Sequence, residues 1–153
     1  MNSKDHDGYT ALFRAAQLND VESTKLLIDA KADAKDDNGV TALMEAALID
    51  SAKCVAVLID KKSDIEARDD YGATALMLAA SWGATKSIKF LIDTKANIEA
   101  QDDRGRTALM MAASSGVTEC VELLANPITI ATQQPKRKRR RAEAASPPRD
   151  ERP

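Results

Sequence analysis

Three pairs of adjacent aspartates stand 33 residues apart: Asp36-Asp37, Asp69-Asp70 and Asp102-Asp103. Carboxylates at a regular spacing are the oxygen donors that a hard cation such as Ca2+ takes. The residues that follow point elsewhere. After one intervening residue each pair meets a glycine, at Gly39, Gly72 and Gly105. Asp hydrogen-bonds its own backbone two residues on, and Gly supplies a positive φ without steric cost, so Asp-Asp-x-Gly reads as a turn with one solvated charge. The other candidate chemistry is sparse. The one histidine, His6, lies in a polar turn segment, so no His-based metal site or proton relay can be assembled. The two cysteines, Cys54 and Cys120, are 66 residues apart. The chain is therefore expected to bind no cofactor or metal and to catalyse nothing.

A second group of residues carries charge instead of catalysis. The net charge of −2 divides sharply: residues 1–134 hold 14 Lys and Arg against 21 Asp and Glu, and residues 135–153 hold 8 against 3. An acidic body is a poor nucleic-acid surface, because such surfaces neutralise phosphates with Lys and Arg. Any contact with nucleic acid should sit in the tail. There Lys136, Arg137, Lys138, Arg139, Arg140 and Arg141 follow Pro135 without interruption. The run resembles a single-cluster nuclear import signal, and nucleic-acid contact is the rival reading for such a patch. The composition around it, with Pro147 and Pro148 and few apolar residues, is that of a disordered segment. Ser146-Pro147-Pro148-Arg149 has the form of a proline-directed phosphorylation site.

These residues must be positioned by something, and the repeat supplies it. D-x-x-G-x-T-A-L-x-x-A occurs four times, anchored on Thr10, Thr41, Thr74 and Thr107 at spacings of 31, 33 and 33. In the third copy Thr74 is a helix N-cap type, and Ala75 to Ser81 is predicted to form a short inner helix that Gly83 ends. Ile88, Leu91 and Ile92 have the i, i+3, i+4 spacing of one apolar face of a second helix. Asp93 to Asn97 ends it, and Ile98-Glu99-Ala100 is expected to run extended into the next turn. Helices shorter than about 12–15 residues are marginal alone in water, so the units must stack and share a core. Stacked helices lie about 8–10 Å apart. Cys54 and Cys120, at the same position two repeats apart, should then lie roughly 16–20 Å apart, too far for a disulfide.

At this level of detail the chain resembles the ankyrin-repeat family, over about 120 of its 153 residues. The family pattern D-x-x-G-x-T-P-L-H-x-A-A appears as D-x-x-G-x-T-A-L-M/F-x-A-A. Ala11, Ala42, Ala75 and Ala108 replace the family proline, and Phe13, Met44, Met77 and Met110 replace its histidine. The glycine after the second helix is Lys31, Lys62 or Lys95, a position where a left-handed conformation costs roughly 1–2 kcal/mol. The glycine between the helices persists as Gly83 and Gly116 but is Asn19 and Asp50 earlier. The first repeat is two residues short in its finger. The fourth stops at Asn126-Pro127, where Ile128 and Ile130 could fold back over the exposed end.

The resemblance implies an all-α solenoid of stacked helix-turn-helix units with short β-turn fingers. Four repeats occupy residues 1–126, at about 5–35, 36–68, 69–101 and 102–126, and the basic tail takes 127–153. It also implies a non-catalytic adaptor or scaffold that binds a protein partner through its concave face. Contact positions carried over are the finger tips Tyr9, Asp70, Tyr71, Asp103, Arg104 and Arg106, and the inner-helix ends Leu48, Ile49, Ser81 and Trp82. The apolar members either face a partner or pack on a neighbouring repeat. An import receptor is the expected partner of the tail, and the chain is expected to be monomeric. No apolar run approaches the ~18 residues of a membrane helix, and the N-terminus M-N-S-K-D-H-D-G lacks the apolar core of a secretory signal. The expected setting is intracellular and reducing, in the nucleus with the cytoplasm as the other compartment.

Overall fold

The computed structural model describes residues 10–29 and 35–127. These form eight helices: α1 (Ala11–Gln17), α2 (Val21–Asp29), α3 (Ala42–Leu48), α4 (Ala52–Asp60), α5 (Ala75–Ser81), α6 (Thr85–Asp93), α7 (Ala108–Ser115) and α8 (Thr118–Ala125). The odd-numbered helices pack on one another in order as an inner row, and the even-numbered ones form an outer row behind them. Among the described residues there is no strand, and Lys35 and Thr41 form an isolated bridge. The fold is an all-helical solenoid of stacked helix pairs.

Local chemistry sets where each helix starts and stops. The hydroxyls of Thr10, Thr41, Thr74 and Thr107 accept the N–H of Phe13, Met44, Met77 and Met110, so every inner helix is capped by the threonine of its motif. Inner helices end on a left-handed residue: Asn19 at φ 58°, Asp50 at 61°, Gly83 at 71° and Gly116 at 75°. Lys62 and Lys95 adopt φ 71° and 72° after α4 and α6, as the lost glycine requires. There the N–H of Lys62 donates to Ile59 O and that of Ser63 to Leu58 O, which satisfies carbonyls that the helix end leaves unpaired. The matching Lys31 lies outside the described residues.

One expectation is corrected. Ile98-Glu99-Ala100, before the finger at Asp102, is a turn and not extended chain, and so is the matching stretch at Ile65-Glu66. Ala100 N donates to Asn97 O, and Asn97 Oδ1 accepts the N–H of Glu99 at 3.1 Å. Asp64 does the same for Glu66 at 2.9 Å. An Asx side chain two residues upstream offers the backbone a local partner, and it competes successfully with pairing between strands.

The core runs through both rows. Leu43, Met44, Leu58, Leu76, Met77, Ile88 and Leu91 are fully buried, and Ala16, Ala46, Ala47, Ala79, Ala80 and Ala112 have no accessible surface. Alanines at these sites let inner helices approach closely, which is how a chain with 3% aromatic residues fills its interior. Cys54 and Cys120 are free and buried among them.

Candidate binding surface

Two rows of exposed side chains bracket the inner helices. Each inner helix is seven or eight residues long, so the rows are separated by about 10–12 Å.

The first row is the fingers. Asp36 Oδ1 accepts the N–H of Asn38 and Val40, Asp69 Oδ1 those of Tyr71 and Ala73, and Asp102 Oδ1 those of Arg104 and Arg106, all within 2.8–2.9 Å. The leading carboxylate of each pair is thus committed to its own turn. Among the described residues no group of three His, Cys, Asp or Glu side chains gathers to hold a metal ion. Consecutive fingers are locked together: Asp70 N donates to Asn38 O and Asp103 N to Tyr71 O, both at 3.0 Å. A Cβ on Gly72 would lie 2.8 Å from Asp103 N, so this glycine is fixed by the next finger as well as by its φ of 79°. Asp70 and Asp103 are exposed, yet their carboxylates sit against Gly39 and Gly72 of the preceding finger. Tyr71 is 68% exposed. Arg104 is exposed, and Arg106 is tied to Asp102 through Nε at 2.9 Å and Nη2 at 2.7 Å. The backbone N–H of Arg106, then its side chain and the N–H of Arg104, hold the Asp102 carboxyl below the usual range. Tyr9 lies outside the described residues.

The second row lies where each inner helix ends. Leu18, Ile49 and Trp82 are the C-cap residues of α1, α3 and α5, and they are 75%, 37% and 69% exposed. Leu48 beside them is half-buried and Ser81 is exposed. Three large apolar chains at one repeat position, one on each of three adjacent repeats, make a ladder with rungs about 8–10 Å apart. The fourth rung is polar: Ser115 Oγ donates within its own helix end to Ala112 O and lies 3.3 Å from Ala80 O. Leu18 was not among the residues read from the sequence, although it stands 31 residues before Ile49, the interval between Thr10 and Thr41.

Beneath the ladder lies a buried carboxylate that sequence reading also missed. Glu45 on α3 is 9% exposed. Burial pushes its pKa up and the charge of Asp36 adds to this, while a hydrogen bond with Gln17 and the charge of Arg14 oppose it. Arg14 Nη1 in turn donates to Gln17 Oε1 at 2.9 Å. A glutamate inside an alanine-rich helix carries no local signal of burial, because its partners come from the preceding repeat.

Across both rows, what the surface offers is contact. It presents an apolar ladder, a tyrosine, guanidinium groups and fixed turn backbones, and such surfaces hold other macromolecules.

The family model for ankyrin repeats, in three copies, matches residues 1–69 and 50–134. This protein therefore belongs to the ankyrin-repeat family, whose members generally mediate protein–protein interaction and are typically non-catalytic. No curated protein matches the chain at a significant level. No helix among the described residues is long and apolar enough to cross a membrane.

Proposed function

We propose that this protein is a non-catalytic adaptor that grips a protein partner along the Leu18–Ile49–Trp82 ladder and the adjacent fingers. The observation that carries the reading is the ladder itself. Trp82 and Leu18 keep most of their surface in water although the core beside them is closed. Trp and Tyr are favoured anchors because they bury large area at low entropic cost. Tyr71 and Trp82 stand at opposite ends of α5, so one partner can engage both. Asp70, Asp103, Arg104 and Arg106 supply the polar rim, and Leu48 and Ser81 flank the ladder.

The test compares wild type with Leu18→Ala, Ile49→Ala and Trp82→Ala in affinity capture from cell extract, alongside urea melts. Reduced capture of the same partner band with melts shifted by less than about 1 kcal/mol supports the surface. Unchanged capture with a large stability loss refutes it.

The basic run gives the adaptor an address in this reading. Lys136 to Arg141 lie outside the described residues, and the proposal rests on their sequence alone. A large fusion that moves from nucleus to cytoplasm when the six residues become alanine supports an import-receptor partner. A fusion that stays nuclear refutes it. Binding to nucleic acid is the rival, recognised by a log–log salt slope near −5 for about six phosphate contacts. Ser146, also outside the described residues, would add roughly −1.5 to −2 charge when phosphorylated and weaken receptor binding about twofold.

A further inference from the structure

One inner-helix position changes character along the stack. Phe13, Met44 and Met77 are buried, at 2%, 0% and 1%, whereas Met110 at the same position is 53% exposed. The alanine three residues further on behaves alike: Ala16, Ala47 and Ala80 have no accessible surface, and Ala113 is exposed. The first repeat is buried here and the last is open, so the position faces the following repeat. In the fourth repeat that place holds no fifth unit: no D-x-x-G-x-T motif follows Asn126. An open apolar end of this kind is what solenoid caps exist to cover.

We infer that the chain's own residues 128–132, Ile-Thr-Ile-Ala-Thr, seat on the α7 end face with Ile128 or Ile130 against Met110. Five observations converge on this occupant. The described chain ends at Pro127, directly after α8. Helices α7 and α8 are joined by a two-residue turn and pack together, so they run antiparallel and the end of α8 lies beside the first turn of α7, which carries Met110. The gap between packed helices is about 8–10 Å, and three extended residues span roughly 10 Å. Ile128 and Ile130 are the only Ile, Leu, Val, Met or aromatic residues in 128–153, and residues 128–134 carry no charge. The match to the family model also continues past α8, to residue 134.

A tethered segment competes well for the face. A short link gives it an effective concentration in the millimolar range, above any working concentration of a second copy.

The test is the oxidation rate of Met110 in the full chain by hydrogen peroxide, read by mass spectrometry, with the buried Met44 and Met77 as internal references. Oxidation follows access. In the wild type Met110 is expected to oxidise at least about fivefold more slowly than free methionine, independently of protein concentration. The Ile128→Asp/Ile130→Asp variant should lose that protection with Met44 and Met77 unchanged, and Ile128→Val/Ile130→Val should keep it. Oxidation of wild-type Met110 at the free rate would overturn the proposal. So would protection that survives the Asp pair, or protection that grows with concentration, which would assign the face to a second copy.

Discussion

The junctions between repeats solve one problem in two ways. Between the first and second repeats, the left-handed turn residue Asn19 accepts a hydrogen bond from Ser51 Oγ, the residue that caps α4. Between the second and third, Asp50 Oδ1 accepts the N–H of Ser87 in the first turn of α6 at 2.8 Å, and the N-cap residue of α6, Ala84, makes no side-chain cap of its own. Between the third and fourth, the turn residue is Gly83, and a Cβ there would lie 2.9 Å from Cγ2 of Val117, the N-cap residue of α8. The turn of one repeat and the helix start of the next thus act as a matched pair. Either a polar turn residue reaches across to cap the helix, or glycine withdraws to admit a valine. Loss of glycine at Asn19 and Asp50 is therefore not a plain cost: each pays the left-handed strain and gains a bond across the junction.

The largest effect should come from a residue that serves both kinds of junction. Leu91 on α6 has no exposed surface, and α6 packs on α4 on one side and α8 on the other. Leu91→Ala is expected to lower stability by about 2–5 kcal/mol. A urea melt with one transition would show that polar and apolar junctions unfold as a unit. A split transition would show that they are separable.

Gly83→Ala should follow. It adds a Cβ at φ 71° and into Val117, with a combined cost of about 2–4 kcal/mol. Gly116→Ala isolates the backbone share, because φ is 75° there and no atom lies within 4 Å of the added Cβ; it should cost only about 1–2 kcal/mol. In a Val117→Ala background the two substitutions should become equal. If they already cost the same in the wild type, Val117 does not close the third junction.

Asp50→Ala should lose the cap and keep the strain, at about 1–2 kcal/mol. Asp50→Gly loses the same bond but relieves the backbone, so it should fall within about 0.5 kcal/mol of wild type. An Asp50→Gly variant as destabilised as Asp50→Ala would mean that the cap dominates and the strain is negligible.

The helices, their threonine caps and the left-handed residues at Asn19, Asp50, Lys62 and Lys95 were legible in the sequence, because each depends on residues within a few positions and the pattern repeats. Trp82 and Ile49 were legible as apolar chains at inner-helix ends, but their exposure was open, since burial depends on the neighbouring repeat. The same dependence hid Met110, identical in type to Met44 and Met77 and different only in having no repeat after it. It hid the junction pairs as well: Asn19 with Ser51 and Asp50 with Ser87 are 32 and 37 residues apart, intervals that differ from the 33-residue period. Ile98-Glu99-Ala100, expected to run extended, is a turn because Asn97 Oδ1 offers the N–H of Glu99 a partner two residues away.

The smallest expected effect contrasts two carboxylates toward opposite ends of the stack. Burial raises the pKa of Glu45, whereas hydrogen bonds from Arg106 lower that of Asp102. A carboxyl whose folded pKa lies above its unfolded value binds protons more readily in the native state, so its ionised form weighs against folding at neutral pH. That weight fades as pH falls through the raised value and is gone below the ordinary 4.5. Glu45→Gln keeps the shape and removes the charge, so it should melt slightly above wild type at pH 7 and lose the advantage below about pH 4. Asp102 has the opposite sign: its stabilisation is complete above the ordinary 3.8 and is lost only as pH falls through its lowered value. Asp102→Asn should therefore melt below wild type at pH 7 and converge with it in stronger acid. Paired thermal melts of the two variants from pH 7 to pH 3 check both signs at once. If the variants shift in the same direction at pH 7, either burial does not govern Glu45 or the Arg106 bonds do not govern Asp102. The Arg106→Ala melt separates these, since it should reproduce the Asp102→Asn loss only if the guanidinium shares in holding the charge.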